Sequence, residues 1–152
     1  MAYLMVLAMM VSAAKAWAED PANVSDYQHC APDGIALGGN DPVSYYQENG
    51  PKRGNQKLTV QHGKLTYQFV SQDNLTAFVA EPTRYLPTYL GWCSTNLAMG
   101  RLACPDFDNF QIEDGRLLLF EHAGFTNGRD VWNSNPNQFR LQADNNFDKF
   151  SQ

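Results

Sequence analysis

Two stretches limit what this chain can fold into: Ile35 to Tyr46, IALGGNDPVSYY, and Tyr85 to Gly100, YLPTYLGWCSTNLAMG. Each packs a Gly-rich turn, prolines or a helix start, and several aromatics into a short run. Glycine admits backbone conformations closed to other residues, and proline fixes its own φ. Neither stretch can be one long regular element. A plain surface connection seldom carries so many Gly, Pro and aromatic residues. Both stretches therefore predict short helices and tight turns packed into a core.

The chain opens differently. Leu4 to Ala14 is apolar apart from Ser12, and Ala16-Trp17-Ala18 places small residues where a signal peptidase reads. This is the pattern of a signal peptide over 1–18, cleaved after Ala18. The apolar run is well short of the ~20 residues that span a bilayer. The expectation is an exported chain, periplasmic or extracellular, with no membrane span once the signal is gone. The remainder has the length of one domain with one ordinary core. Lys and Arg number 11 against 16 Asp and Glu, a net charge of −5 with His neutral. A mildly acidic surface without a Lys/Arg run argues against nucleic acid and anionic lipid as partners.

Residues 19–34 read as an irregular N-terminal segment. Asp41-Pro42 is a helix start, with Asp as N-cap and Pro at the first helical position. That helix runs to about Gln47, before the stop signal Glu48-Asn49-Gly50-Pro51. Leu58 to Gln61 and Lys64 to Val70 alternate apolar and polar residues around His62-Gly63, which predicts a β-hairpin. Ser71 caps a helix through Ala80, and Pro82 opens another turn. Trp92 to Gly100 reads as a helix with Gly100 at its C-cap. A second hairpin, Phe110 to Glu113 and Arg116 to Glu121, turns at Asp114-Gly115. Leu117 to Phe120 lacks alternation, so that strand is expected to be buried on both faces. Helices follow over 128–133 and from Pro136 to Phe147. No internal repeat is visible. The sum is a small single α+β domain, two β-hairpins packed against several short helices.

Three cysteines are present: Cys30, Cys93 and Cys104. An oxidising compartment lets two of them pair and leaves one over. Cys30 with Cys104 is the preferred disulfide, since both lie in loop-like, Pro-adjacent sequence. Cys93 with Cys104 is the alternative, and spacing does not choose between them. Cys93 follows Gly91-Trp92 near a helix N-terminus, where the helix dipole favours a thiolate, so it is the first candidate metal ligand or reactive thiol. Met99 is a candidate second ligand, although a straight helix turns it away from Cys93. His29, His62 and His122 show no metal-ligand spacing. Tyr45, Tyr46, Tyr85, Tyr89 and Trp92 could wall a ligand pocket or simply form the core. Asp41 is first an N-cap and only second an acid. No GxSxG, P-loop or Rossmann glycine pattern occurs.

Taken in order, these stretches resemble the secreted YHS-domain-like proteins. Ala36 to Tyr46 is similar to that family's "ALxGYDPVAYF" segment. Tyr67, Phe69 and Ser71 match its "YxFxS". Tyr85-Leu86-Pro87, Tyr89, Gly91, Trp92-Cys93, Ala98 and Gly100 match its "YLPxYGGYCAxxxAxG". Asp114 to Leu119 and Trp132, Asn135-Pro136, Phe139, Ala143-Asp144 and Phe147 match its later segments. The resemblance covers 35–147 of a domain taken as 35–152. It implies a YHS-like α+β fold and metal handling; together with the lone cysteine placed where a thiolate is favoured, it leads to the expectation of a soft ion such as copper(I), anchored by Cys93 with Met99 or a histidine as second ligand. Ser44, Val70 and Asn74 stand where shorter metal-binding relatives carry cysteines, so the cysteine-rich site of those relatives is missing. Two other readings stay open. One is a non-catalytic module binding a small molecule or protein through Asp41, Tyr45, Tyr89 and Trp92. The other is a cysteine-dependent enzyme.

Overall fold

The computed structural model describes residues 29–151; the signal-peptide expectation and most of the irregular segment lie outside them. The described residues form three two-stranded antiparallel sheets, each a hairpin, packed with five short helices. The expected α+β class is what the chain adopts.

A 3-10 turn over Ala36–Gly39 and another over Ser44–Tyr46 come first. The helix expected from Asp41-Pro42 is therefore a single tight turn, because the stop at 48–51 leaves no room for more. Strands β1 (Asn55–His62) and β2 (Leu65–Phe69) form the first hairpin. A Cβ on Gly54, at the entry to β1, would lie 2.5 Å from the Gln68 carbonyl carbon, so the two backbones meet where only glycine fits. Helix α1 (Gln72–Ala80) follows, its first turn capped by the Ser71 hydroxyl, which accepts from the Asn74 N–H. Helix α2 (Pro82–Tyr85), a 3-10 turn over Thr88–Gly91 and helix α3 (Ser94–Ala98) bring the chain to the second hairpin. Its strands are β3 (Asp106–Glu113) and β4 (Arg116–Phe120).

A third, unexpected hairpin follows: β5 (His122–Ala123) and β6 (Thr126–Asn127). Two-residue strands carry no periodicity to read. Its tip presents Phe125 fully to solvent. Helices α4 (Gly128–Ser134) and α5 (Pro136–Phe150) close the chain.

The lack of alternation in β4 has a direct cause. Leu117 and Leu119 point into one core, with Tyr45, Tyr67, Phe69 and Phe78. Leu118 and Phe120 point into a second, with Tyr89, Leu97, Trp132 and Ala143. The strand is a wall shared by two cores, so both faces are apolar.

Candidate functional site

Asp41 is fully buried and accepts four hydrogen bonds. Its Oδ1 takes the N–H groups of Val43 (2.8 Å) and Ser44 (3.4 Å). Its Oδ2 takes the N–H of Val70 (2.9 Å) and the Asn74 side-chain amide (2.8 Å). Oδ1 makes the local hydrogen bonds expected of Asp-Pro, although the 3-10 turn begins at Ser44 behind Val43, and the second oxygen adds a tie to the end of β2 and the start of α1. Every lone-pair direction a carboxylate offers is in use.

Tyr45 and Tyr89 are buried rings with occupied hydroxyls. Tyr45 donates to the Phe107 carbonyl (2.7 Å) and accepts from Asn40 (3.3 Å). Burial holds its phenol well above the ordinary value, and the Asn40 hydrogen bond only partly opposes that. Tyr89 donates to Asp144 (2.7 Å) and accepts from Arg116 (3.0 Å), with the guanidinium also over its ring. Burial raises the Tyr89 phenol too, and its bond to Asp144 adds to that. Trp92 is half-buried, and its indole N–H is buried without a partner. Tyr45 and Tyr89 thus belong to two different cores.

The disulfide is Cys30–Cys104, with 5.4 Å between Cα atoms. Cys93 is the free cysteine, fully buried. It is the N-cap residue of α3, and its sulfur accepts from the Asn96 side-chain amide (3.2 Å) and the Glu121 N–H (3.2 Å). The same Asn96 nitrogen donates to Glu121 Oε2 (2.7 Å), so thiol and carboxylate share one amide donor. Nothing in the sequence marks Asn96 or Glu121. Neither belongs to a motif, and Glu121 reaches Cys93 only because β4 runs beside the residue in a parallel bridge, Cys93 to Leu119.

Met99 is not brought to Cys93. It follows α3 as Cys93 precedes it, and at 1.5 Å per residue the two lie ~9 Å apart along the axis. Met99 is half exposed and lines a shallow groove of about 570 Å³ between the end of α3 and the Gln142, Asn145 and Lys149 side of α5. Ser94, beside Cys93, is fully buried and its hydroxyl has no partner. No group of three or more His, Cys, Asp or Glu able to hold a metal occurs among the described residues. No helix among them is long and apolar enough to cross a membrane.

The site is therefore one thiol, one amide and one carboxylate at the junction of α3 with the end of β4, on a small α+β domain. No protein-family model matches this chain, nor does any curated protein or solved structure.

Proposed function

We propose that this chain is an exported metal-handling domain of YHS-like type that takes a soft ion, such as copper(I), at Cys93. One observation carries the reading: the cysteine left outside the disulfide has a sulfur that accepts two N–H bonds, one from the Asn96 amide that also holds the Glu121 carboxylate. A thiolate suits a soft ion such as copper(I), and zinc(II) as well. Because Cys93 is fully buried, loading requires α3 and the Glu121 backbone to part. The disulfide fits the oxidising compartment that export implies.

The test is native mass spectrometry of the exported protein after anaerobic addition of copper(I), and separately of zinc(II). The expected result is one ion retained by the natural protein and none by Cys93→Ser. Met99→Leu should retain it, given the separation of Met99 from the sulfur. Equal retention by the natural protein and Cys93→Ser would remove the site.

One observation favours a second reading, a module for a small molecule or protein: the unpartnered Trp92 indole N–H. A ligand accepting that hydrogen bond should change Trp92 fluorescence, and loss of its affinity in Trp92→Phe would support this reading over the first. Affinity unaltered by Trp92→Phe would sink it.

A further inference from the structure

Residues 35–85 and 87–150 run through a similar series of elements, apart from the β5–β6 hairpin and the longer last helix of the second. Each begins with an extended residue in a parallel bridge, Ile35 to Thr66 and Pro87 to Leu117. Each enters a 3-10 turn with two successive residues in the left-handed region. These are Leu37 and Gly38 in the first (φ 56° and 60°) and Tyr89 and Leu90 in the second (φ 58° and 55°). Non-glycine residues seldom adopt such angles, so their recurrence at one place in each path is informative. The turns exit through extended Asn40 and Trp92. The next residue, Asp41 or Cys93, donates its N–H to a carbonyl ahead of the following hairpin, Lys52 or Ala103, at 2.9 Å in both.

The hairpins share one register. Asn55–Phe69, Thr59–Gln68 and His62–Leu65 correspond to Asp106–Phe120, Phe110–Leu119 and Glu113–Arg116, with the irregularity in the same interval. A side-chain-capped helix follows each, α1 behind Ser71 and α4 behind Asn127. These helices end at Glu81 (φ −145°, ψ 65°) and Asn135 (φ −159°, ψ 71°), and a helix opening on Pro82 or Pro136 comes next. Core contacts repeat as well. Phe78 packs on Phe69 at 5.3 Å between ring centroids, and Trp132 on Phe120 at 5.8 Å.

We infer that the chain is two copies of one supersecondary unit, and that Cys93 fills in the second the seat that Asp41 fills in the first. The seat is a buried acceptor under the N–H that follows the hairpin: Val70 N–H to Asp41 Oδ2 at 2.9 Å, Glu121 N–H to Cys93 Sγ at 3.2 Å. It ties the start of a short helix to the end of a hairpin. Asp41 fills it with four accepted bonds and is wholly occupied by the fold. Cys93 fills it with two, and leaves the sulfur as the only part of either seat with unused chemistry. The second copy also departs from the first here, because the β5–β6 hairpin begins at His122, next to the donor Glu121. The first copy is scaffold, and the second carries the site.

The shared seat does not depend on metal binding. It predicts that aspartate can replace Cys93. Glu121→Gln supplies the background, so that two carboxylates do not face each other. In that background Cys93→Asp should melt about 5 °C or more above Cys93→Ala, the difference of a buried helix cap. A Cys93→Asp variant that melts at or below Cys93→Ala, or fails to fold where Cys93→Ala folds, overturns the equivalence. The natural protein gives a second measurement. The Val70 and Glu121 amides should both exchange slowly with deuterated solvent, and a Glu121 amide exchanging like open backbone would mean that the second seat is not formed. Neither measurement involves a metal, so a failed copper experiment leaves this inference standing, and the reverse holds too.

Discussion

Asp41 is a carboxylate removed from water and repaid by four N–H donors. Truncating it strands those donors inside the protein, and stranded buried donors carry their full desolvation penalty. Asp41→Ala should destabilise by about 3 kcal/mol or more, read from the urea midpoint at unchanged slope. Asp41→Asn should cost less, since one amide oxygen still accepts. Equal stability of Asp41→Ala and the natural protein would mean the donors find other partners. Half of this was legible in the sequence. The Asp-Pro pair announces a cap because the donors it serves are two and three residues on. Its other donors are 29 and 33 residues away, and no local pattern signals them. Cys93 shows the same division. Its place before a short helix could be read, whereas Glu121, 28 residues away, could not.

Between elements, α5 is held to the tip of the second hairpin by charge. Arg116 on β4 pairs with Asp144 at 2.8 Å, and Tyr89 donates to the same carboxylate. Arg140 pairs with Glu113 and Asp114 at the turn. Trp132 from α4 donates its indole N–H to Glu113 at 2.8 Å. Burial pushes the Asp144 carboxyl up, but the hydrogen bonds from Arg116 and Tyr89 and the guanidinium charge outweigh it and hold the group below its ordinary 3.8. A group with its folded value depressed stabilises fully above the unfolded value and loses that contribution as pH falls through the folded one. Asp144 should therefore contribute at neutral pH and fade below about pH 4, modestly, because both partners are partly exposed. Asp144→Asn should lower the melting temperature more at pH 7 than at pH 2. An equal loss at both would place its role in packing instead. The hairpins themselves were readable, since alternation and a Gly-containing turn mark each. The strands β5 and β6 were not, being too short to show a period, and neither was the clamp, which joins residues far apart in sequence.

At the scale of the molecule, the two copies have little in common as sequence beyond Phe69 with Phe120 and Pro82 with Pro136. Leu37-Gly38-Gly39-Asn40-Asp41 and Tyr89-Leu90-Gly91-Trp92-Cys93 share one glycine in register, and Gly63-Lys64 answers Asp114-Gly115 at the hairpin turns. Backbone path and hydrogen bonding keep the unit where side chains have diverged, which is why the repeat stays hidden until the fold is seen. The fold class was legible because it rests on local patterns. The site was legible only as a residue, because its neighbours arrive from other elements.

The disulfide has a consequence for how the chain matures. Cys30 and Cys104 are 74 residues apart, while Cys93 lies much nearer to Cys104 along the chain. In an unstructured thread the smaller ring closes more readily, so chance encounter favours Cys93 with Cys104. The folded second copy reverses that preference by sealing the Cys93 sulfur beneath the Glu121 N–H. Oxidising the reduced protein in denaturant should thus yield mainly the Cys93–Cys104 ring, and oxidising it after folding should yield Cys30–Cys104. Peptide mapping that finds one and the same pairing from both routes would contradict this. A newly made chain that meets an oxidant is then in a race. If oxidant reaches it before the second copy closes, the wrong ring traps Cys93, and the chain needs an isomerase to recover its only spare thiol.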